Sequence, residues 1–517
     1  MELSRRVQNI KPSPTLAVAA KAAKLKAEGR DIIGLGVGEP DFDTPQHIKD
    51  AAIAAIHAGF TKYTAVGGTP GLKKAVIDKF QRENGLSYAA NQVLVSCGGK
   101  QSFYNLAQAF INPGDEVIIP APYWVSYPDM VILADGVPVI VHAGIDQGFK
   151  ITPAQLEAAI TPRTRMLVIN SPSNPSGAVY GKEELAALGE VLRRHPNVLI
   201  ASDDMYEHIL MADGPYHNIL NACPDLYDRA MVLNGVSKAY AMTGWRIGYA
   251  AGPAKIIAAM DSIQSQSTSN PTSISQVAAE AALNGDQSCI QPMLAAFKER
   301  HRFVVDGLNA IPGVKCVDSG GAFYAFPDVN GAIRKLFAAG KLKADNDLAL
   351  SEYLLEHGVA LVPGSAFGAE GCIRISFATS MDNIQSQSTS NPTSISQVAA
   401  EAALNGDQAC IQPMLAAFRE RHRFVVDSLN AIPGVQCVKS GGAFYAFPDV
   451  SAAIGKLHAA GKIPAANDLA LSEYLLEHGV ALVPGSAFGA EGCIRISFAT
   501  SMDNLRKAVE RIARAFA

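Results

Sequence analysis

Between Asn91 and Pro253, the spacing of the hydrophobic residues alternates between a strand-like and a helix-like pattern. Short apolar runs typical of buried strands are separated by stretches with helical spacing, such as "QSFYNLAQAF" and "KEELAALGEVLRR". This alternation predicts a mostly parallel, doubly wound α/β sheet. Ligands of such sheets bind beyond the carboxyl ends of the strands, so the residues after each run are candidates for a site. The runs are "QVLVSC", "DEVIIP", "VPVIVHA", "RMLVINSP", "NVLIASDD", "AMVLNG" and "RIGYAAG".

A long internal repeat follows the sheet region. Residues Met260–Ser380 recur as Met381–Ser501, a unit of 121 residues in which 13 positions differ. Solenoid repeats have periods of about 20–50 residues, so we interpret this one as a block duplication. The unrepeated tail carries an apolar stripe at helical spacing, formed by Leu505, Val509, Ile512 and Phe516.

These patterns predict the domain organisation. We expect a large domain at 31–295, which residues 1–30 precede. A smaller α+β domain at 296–380 follows, and it begins with the helical pattern "QPMLAAFKERHRFVVDGLNAI". The duplicated block at 381–517 then contains the end of the large domain, a second small domain and a C-terminal helix.

Composition and charge exclude several classes of function. The formal charge of -4 and the apolar fraction of 48% are ordinary for a globular chain, and they argue against nucleic acid or an anionic membrane as a partner. No apolar run approaches the ~18 residues of a membrane span, and the start lacks a secretory signal. The eight cysteines form no C-x-x-C pair, so we predict no metal site and favour a reduced, cytoplasmic setting.

Glycines and acids follow two of the apolar runs. Gly98 and Gly99 stand at a strand-to-helix turn, where backbone N–H groups can hold an anion, although an ordinary tight turn has the same sequence. Asp203 and Asp204 stand at the end of the later run "NVLIASDD". They could cap a helix, or one could lie beneath a ring nitrogen that must stay protonated.

An amine, a guanidinium and several ring or amide groups follow other runs. Lys238 and Arg246 lie eight residues apart in "SKAYAMTGWR", where a solvated loop is the plain alternative. Trp124 could stack on a flat ligand or fill a core, and Asn174 could bond a ligand or form a turn. Together with Tyr206, these groups are what a phosphorylated pyridine aldehyde requires: an amine for a Schiff base, a cationic fork and a carboxylate.

Several longer motifs carry a family resemblance over residues 1–380 and the tail. They are "LGVGEPDFDTP", "TKYTAVGGTPGLKKAV", "GGKQS", "PAPYWVSYP", "NSPSNPSG", "SDDMYEH" and "NGVSKAYAMTGWRIGY". In these motifs the chain resembles the fold-type-I, pyridoxal-phosphate-dependent class I aminotransferases, in particular the prokaryotic aspartate branch that also accepts prephenate. The resemblance implies a large domain with a doubly wound sheet, a smaller domain and bound pyridoxal 5'-phosphate. It also implies that residues 1–30 form an N-terminal arm or lid associated with the small domain.

The resemblance also implies roles for individual residues. Lys238 corresponds to the Schiff-base lysine, Asp203 to the partner of the pyridine nitrogen, and Arg246 to a phosphate ligand. Some relatives have serine where this chain has Gly235, so one phosphate contact is either missing or supplied by Ser237. The remaining cofactor ligands implied are Gly99 and Lys100 at the phosphate, Trp124 against the ring, and Asn174 with Tyr206 at the ring oxygen.

Substrate and subunit contacts follow from the same resemblance. Gly38 and Arg374 correspond to the residues that bind the substrate α-carboxylate, and Arg495 is the repeat image of Arg374. Trp124 and Asn174 also line the substrate side. Tyr63 corresponds to a tyrosine that reaches the phosphate of the neighbouring subunit, which implies a homodimer with shared active sites.

The implied activity is ping-pong transamination through Lys238. The amino donor would be an L-amino acid, aspartate above all, and the acceptor a 2-oxo acid such as 2-oxoglutarate, oxaloacetate or prephenate. Two alternatives stay open: a C–S β-lyase of the same fold, and a duplication product with an impaired site. A dinucleotide oxidoreductase is disfavoured because "GLGVGEP" lacks the G-x-G-x-x-G spacing.

The repeat poses the question of which copy completes the site. Only one copy can dock against the sheet, because both present the same surface. Copy one follows the sheet directly and closes the shorter loop, whereas copy two continues into the tail helix. We predict that copy one docks, that Arg374 is the working arginine, and that copy two is an extra lobe with exposed apolar surface.

Overall fold

The computed structural model describes residues 2–10, 14–30, 32–36, 38–379, 409 and 411–517. The chain folds into two compact units, unit 1, Met1–Gln397, and unit 2, Val398–Ala517. The first part of the second repeat copy, 381–408, lies outside the described residues. Within the described ranges no helix combines the length and apolar character needed to cross a membrane.

A seven-stranded sheet forms the centre of unit 1, in the order β2-β8-β7-β6-β5-β3-β4. β8 is antiparallel to both of its neighbours, and the other strand pairs are parallel. The fold class predicted from the alternating pattern is therefore confirmed. The strands are β2 (Val93–Ser96), β3 (Glu116–Ala121), β4 (Val137–His142), β5 (Thr164–Asn170), β6 (Leu199–Asp203), β7 (Ala230–Gly235) and β8 (Gly248–Ala251).

Helices of unit 1 cover this sheet and bury most positions of its strands. β2, β7 and β8 are buried at every position, as expected for strands covered on both faces. The helices up to the small domain are α1 (Arg5–Asn9), α2 (Pro14–Ala27), α3 (Gln46–His57), α4 (Pro70–Lys79), α5 (Gly99–Phe110), α6 (Ser126–Leu133), α7 (Pro153–Ala159), α8 (Lys182–Arg194), α9 (Ile219–Ala222), α10 (Ala254–Ser265) and α11 (Ser273–Asn284).

The small domain of unit 1 is built on copy one of the repeat. Its antiparallel sheet has the order β11-β12-β9. A separate two-stranded pairing joins β1 (Ile33–Gly34) to β10 (Val359–Ala360), and Ala22 of α2 packs in one cluster with Leu355. The other elements are α12 (Ile290–Asn309), β9 (Tyr324–Ala325), α13 (Asn330–Ala338), α14 (Asp347–Glu356), β11 (Val362–Pro363) and β12 (Ile373–Ser376).

Unit 2 repeats in copy two the order of the helices and of the three sheet strands, followed by the tail helix. Its three-stranded antiparallel sheet has the order β13-β15-β14. Leu505, Ile512 and Phe516 of the tail helix are buried in the core of unit 2, as the apolar stripe predicts. The elements are α15 (Ile411–Asn430), β13 (Tyr445–Ala446), α16 (Ser451–Ala459), α17 (Asp468–Glu477), β14 (Val483–Pro484), β15 (Ile494–Ser497) and α18 (Met502–Phe516).

Identical residues in the two copies differ in burial. Leu429 of α15 is completely buried, whereas its image Leu308 of α12 is only half-buried. In the opposite direction, Met293 is 5% exposed and its image Met414 is 55% exposed. Each copy therefore buries a face that the other leaves open to solvent.

This difference predicts unequal costs for one substitution made in both copies. Leu429→Ala should lower the free energy of unfolding of unit 2 by about 2–5 kcal/mol, the usual cost of emptying a buried leucine site. Leu308→Ala should cost less than half as much, because its side chain is already partly solvated. Urea unfolding followed by circular dichroism measures both values, and equal costs would contradict the packing described.

Tryptophan fluorescence supplies a control for that measurement. Both tryptophans of the chain, Trp124 and Trp245, lie in unit 1. Leu429→Ala should therefore shift the circular dichroism transition while leaving the tryptophan transition in place.

Candidate active site

The carboxyl edge of the central sheet collects most of the residues singled out from the sequence. β5 ends at Asn170 and β6 at Asp203, and these two residues are paired across the ladder. β7 ends at Gly235, three residues before Lys238. Parallel strands end at a common edge, so distant segments of sequence meet there.

Lys238 donates a hydrogen bond from Nζ to the backbone carbonyl of Gly38, at 2.6 Å. Its ammonium also lies 6.0 Å from the centre of the Tyr206 ring and 5.8 Å from that of Phe323. The pKa of Lys238 is lowered to about 8, mainly by burial; Glu39 opposes this shift, and Arg246 and Arg374 add to it. A partly buried amine that loses its proton near neutral pH is suited to nucleophilic and base chemistry.

The two neighbouring acids after β6 have different surroundings. Tyr127 donates its hydroxyl proton to Oδ2 of Asp203, and the backbone N–H of Met205 donates to Oδ1 at 3.2 Å. Burial raises the pKa of Asp203, and the bond from Tyr127 acts in the opposite sense. Asp204 instead accepts from Ser202 at 2.6 Å and from Asn218 at 2.9 Å. Asp204 thus belongs to a packing network, and Asp203 is the acid bonded to a residue from the β3 end.

The start of α5 forms a cradle for an anion. Gly98 has a φ of +87°, and a Cβ there would collide with the Arg246 guanidinium. Arg246 itself is left-handed, with φ +56°, and donates to the carbonyl of Thr243 at 3.0 Å. A strained residue held this way commonly marks a functional site. The N-terminal amides of α5 and a cation therefore meet where glycine alone fits.

Lys100 and Trp124 lie beside one another near this cradle. The Lys100 ammonium is 5.3 Å from the centre of the Trp124 ring, and burial together with Arg246 lowers the pKa of Lys100. Trp124 meets Tyr127 edge-to-face, with 5.2 Å between ring centres. The tryptophan is half-buried, so part of its surface is open to a ligand.

Arg374 of copy one reaches the same edge from β12. Its Nη1 donates to Oδ1 of Asn174 at 2.8 Å, and its Nη2 donates to the carbonyl of Gly36 at 2.5 Å. Its Nε is buried without a hydrogen-bond partner among the described residues. A buried guanidinium with an unused donor is prepared to receive an anionic group.

Tyr324 joins the copy-one small domain to this site. The hydroxyls of Tyr206 and Tyr324 are 2.8 Å apart, and the guanidinium of Arg374 lies 4.7 Å from the centre of the Tyr324 ring. A Cβ at Gly38 would overlap the Tyr324 hydroxyl, which explains why glycine stands there.

Sequence reasoning missed Tyr127 and Tyr324. Tyr127 lies in the quoted motif "PAPYWVSYP", but nothing in a local pattern shows that it bonds Asp203, 76 residues away. Tyr324 has an image, Tyr445, in copy two, so the repeat itself concealed which copy contributes the phenol.

Some predicted residues are not brought to this edge within unit 1. Tyr63 is 92% exposed, and its predicted contact with a neighbouring subunit stays a prediction. Arg495 belongs to unit 2, where its guanidinium lies 4.6 Å from the ring centres of Tyr445 and Phe488. These two rings are the repeat images of the rings that Arg374 contacts in unit 1. Ser237 is buried beside Lys238.

A buried charge network supports the loop that carries Lys238. Lys79 donates to Glu207, and Asn234 donates to the same carboxylate at 2.6 Å. Asn234 in turn accepts from the N–H of Gly235 at 2.7 Å. Glu207 thereby ties the end of β7 to the loop after β6. Glu83, Glu207 and His208 have metal-ligand types at close range, but the Lys79 ammonium supplies the positive charge among them.

The residues present fit pyridoxal phosphate. The Gly98 cradle and Arg246 suit a phosphate, Asp203 suits a protonated ring nitrogen, and Lys238 supplies an amine of lowered pKa. Asn174 and Tyr206 are both buried beside this space and offer an amide and a phenol to a ring oxygen. When bound, the cofactor supplies an electron sink for the reacting carbon.

Comparisons with known proteins agree with this geometry. The family model for class I and II aminotransferases matches residues 30–387 and again 378–512. An aspartate/prephenate aminotransferase of Nitrosomonas europaea is 68% identical over 386 residues, which are 74% of this chain and 97% of that protein. One of Cereibacter sphaeroides is 58% identical over 377 residues, 73% of this chain and 94% of that protein.

Solved structures give the same result. The aspartate aminotransferase of Rhizobium meliloti has a TM-score of 0.71 at 49% identity, covering 74% of this chain and 96% of that one. The enzyme of Thermus thermophilus with maleate has a TM-score of 0.69 at 45% identity, covering 74% and 97%. The chain therefore belongs to the class I and II aminotransferases, a family of pyridoxal-phosphate-dependent enzymes.

Proposed function

We propose that this aminotransferase transfers an amino group reversibly between L-aspartate and a 2-oxo acid, 2-oxoglutarate or prephenate, with oxaloacetate as the 2-oxo acid formed from aspartate. The observation that carries the proposal is the placement of Arg374 beside Asn174 at the edge that holds Lys238. The relatives named above for aspartate and prephenate support it, as does the relative solved with maleate, a dicarboxylate like oxaloacetate. Their names do not favour the C–S β-lyase alternative.

Each side chain has one proposed task. Lys238 would take up and move the proton of the substrate Cα, for which an amine with a pKa of about 8 is well matched. Asp203 would keep the ring nitrogen of the bound cofactor protonated, and Tyr127 holds Asp203 in place. Arg246 and the backbone amides of Gly99 and Lys100 would hold the phosphate. Trp124 would stack against the ring.

Arg374 is proposed as the clamp for the substrate α-carboxylate, with the backbone at Gly38 beside it. The hydrogen bond to Asn174 orients the guanidinium, and the buried Nε is available to a second anion. Copy one supplies this arginine together with Tyr324, which supports the prediction that copy one completes the site. Arg495 has the matching ring contacts but belongs to unit 2.

We also propose a homodimer in which Tyr63 of each subunit contacts the phosphate of the other. The exposure of this tyrosine within unit 1 supports a contact outside it. The cytoplasmic setting inferred from the sequence stays a prediction.

A donor panel tests the function. With 2-oxoglutarate as acceptor, aspartate should give the highest kcat/KM among common L-amino acids, and prephenate should accept the amino group of aspartate. Release of ammonia and pyruvate from a cysteine conjugate, without transfer, would contradict transamination.

The same assay, run on matched variants, decides between the copies. Arg374→Ala should raise the KM for aspartate roughly 10- to 150-fold, because a hydrogen bond to a charged group is worth about 1.5–3 kcal/mol. Arg495→Ala, the same change at the image position, should leave KM unchanged. The reverse pattern would show that copy two supplies the clamp, and equal partial effects would show that the copies exchange.

The lowered pKa of Lys238 predicts a pH dependence for cofactor uptake. Only the neutral amine attacks an aldehyde, and its fraction rises about tenfold per pH unit until pH passes the pKa of about 8. The rate at which apoprotein takes up pyridoxal phosphate, followed by absorbance, should therefore rise up to about pH 8 and then level off. A rate that keeps rising to pH 10 would show an ordinary lysine, and Lys238→Ala serves as the control without covalent uptake.

A further inference from the structure

The outer side of the copy-one small domain carries an apolar patch, here called the α12 face. Phe303 is 63% exposed and Ile311 is 48% exposed, which is unusual for large apolar side chains that lie close together in sequence. The other four apolar side chains of this face are half-buried. The α12 face consists of Phe303, Val304, Leu308, Ile311, Leu336 and Leu354.

Copy two shows what covers the same face. Ile432, the image of Ile311, is only 6% exposed, and the image of Leu308 is completely buried. α15 contacts α18 there, and Leu505, Ile512 and Phe516 of α18 lie in the same apolar cluster. The images of the α12 face are Phe424, Val425, Leu429, Ile432, Leu457 and Leu475, each with the identical residue type.

Polar anchors for the helix are also repeated. In unit 2, Lys456 donates to the carbonyl of Phe516 at 3.1 Å, and Tyr474 donates to that of Ala515 at 3.5 Å. Carbonyls at a helix C-terminus lack partners within the helix, and a lysine suits the negative end of its dipole. Copy one has Lys335 and Tyr353 at the matching positions.

We propose that the α12 face is a docking groove for an amphipathic helix of α18 chemistry supplied by a separate polypeptide. The helix would present apolar side chains at the spacing of Leu505, Ile512 and Phe516, and its C-terminal carbonyls would meet Lys335 and Tyr353. This is recognition of a helix in a groove through anchors spaced along one side.

A second copy of this chain is a less favourable source of that helix than a different polypeptide. The chain has one α18 and two apolar faces of the same kind. If α18 of one chain bound to the α12 face of another chain, it would expose as much apolar surface in its own unit 2 as it covered on the other chain. Such an exchange gains no net burial and loses translational freedom. A helix that comes from elsewhere leaves α18 in place and buries new surface.

The probe is a fluorescent synthetic peptide of residues Met502–Ala517, titrated into the full-length chain and followed by anisotropy. We expect saturable binding to the wild-type chain, at least about tenfold weaker in the double variant Phe303→Asp/Ile311→Asp. The peptide should also raise the midpoint of thermal unfolding of the wild-type chain and not of the double variant, since it binds the folded face only.

Leu348→Asp provides the matched control. Leu348 and its image Leu469 are both 54% exposed, so α18 does not cover this position in copy two. The Leu348→Asp chain should bind the peptide as tightly as the wild type does, with an introduced acid of the same kind at an equally exposed site.

Three results would overturn the proposal. Absence of peptide binding would show that the face takes no such helix. Equal binding to the double variant would show that the peptide displaces α18 from copy two instead. Self-association of the wild-type chain, lost in the double variant and blocking the peptide, would identify a second copy as the occupant.

Discussion

The burial of cationic side chains at one edge of the parallel sheet is the constraint on which this site depends. Lys238 and Arg246 lie in one loop, Arg374 comes from a distant strand of the small domain, and burial lowers the pKa of each. Positive charge held away from water is costly unless an anion balances it. In the proposed function, a phosphate and a carboxylate provide that balance. The site is therefore organised for an anionic cofactor and an anionic substrate before either binds.

The neighbouring structure serves to hold these charges in place. Glycine at position 98 lets the Arg246 guanidinium approach α5, and glycine at position 38 leaves room for the Tyr324 hydroxyl. Asn174 holds Arg374, and the Glu207 network holds the strand end before Lys238. A substitution at one of these supports would act on the reaction through the geometry of a charged group rather than through direct contact with substrate.

Sequence patterns predicted the central sheet and several residues at its edge. They did not predict the contacts of two tyrosines or the different burial of the two repeat copies. The apolar runs predicted the parallel sheet because strands buried on both faces read as continuous apolar segments. The motifs located Lys238, Asp203 and Arg246, since each is close in sequence to a strand end. The roles of Tyr127 and Tyr324 could not be predicted, because their partners are distant in sequence and depend on packing. The repeat shows the same limit, since Leu308 and Leu429 share one local sequence and differ in burial.

The central claim is that Lys238 is the amine that reacts with the cofactor, and chemical trapping tests it most directly. Borohydride reduction of the pyridoxal-phosphate-loaded chain, followed by peptide mapping, should place the cofactor on the peptide that contains Lys238. Lys100 is the internal comparison, because its pKa is also lowered by burial and it lies near the same cradle. Cofactor found on Lys100, or spread over many lysines, would contradict the account.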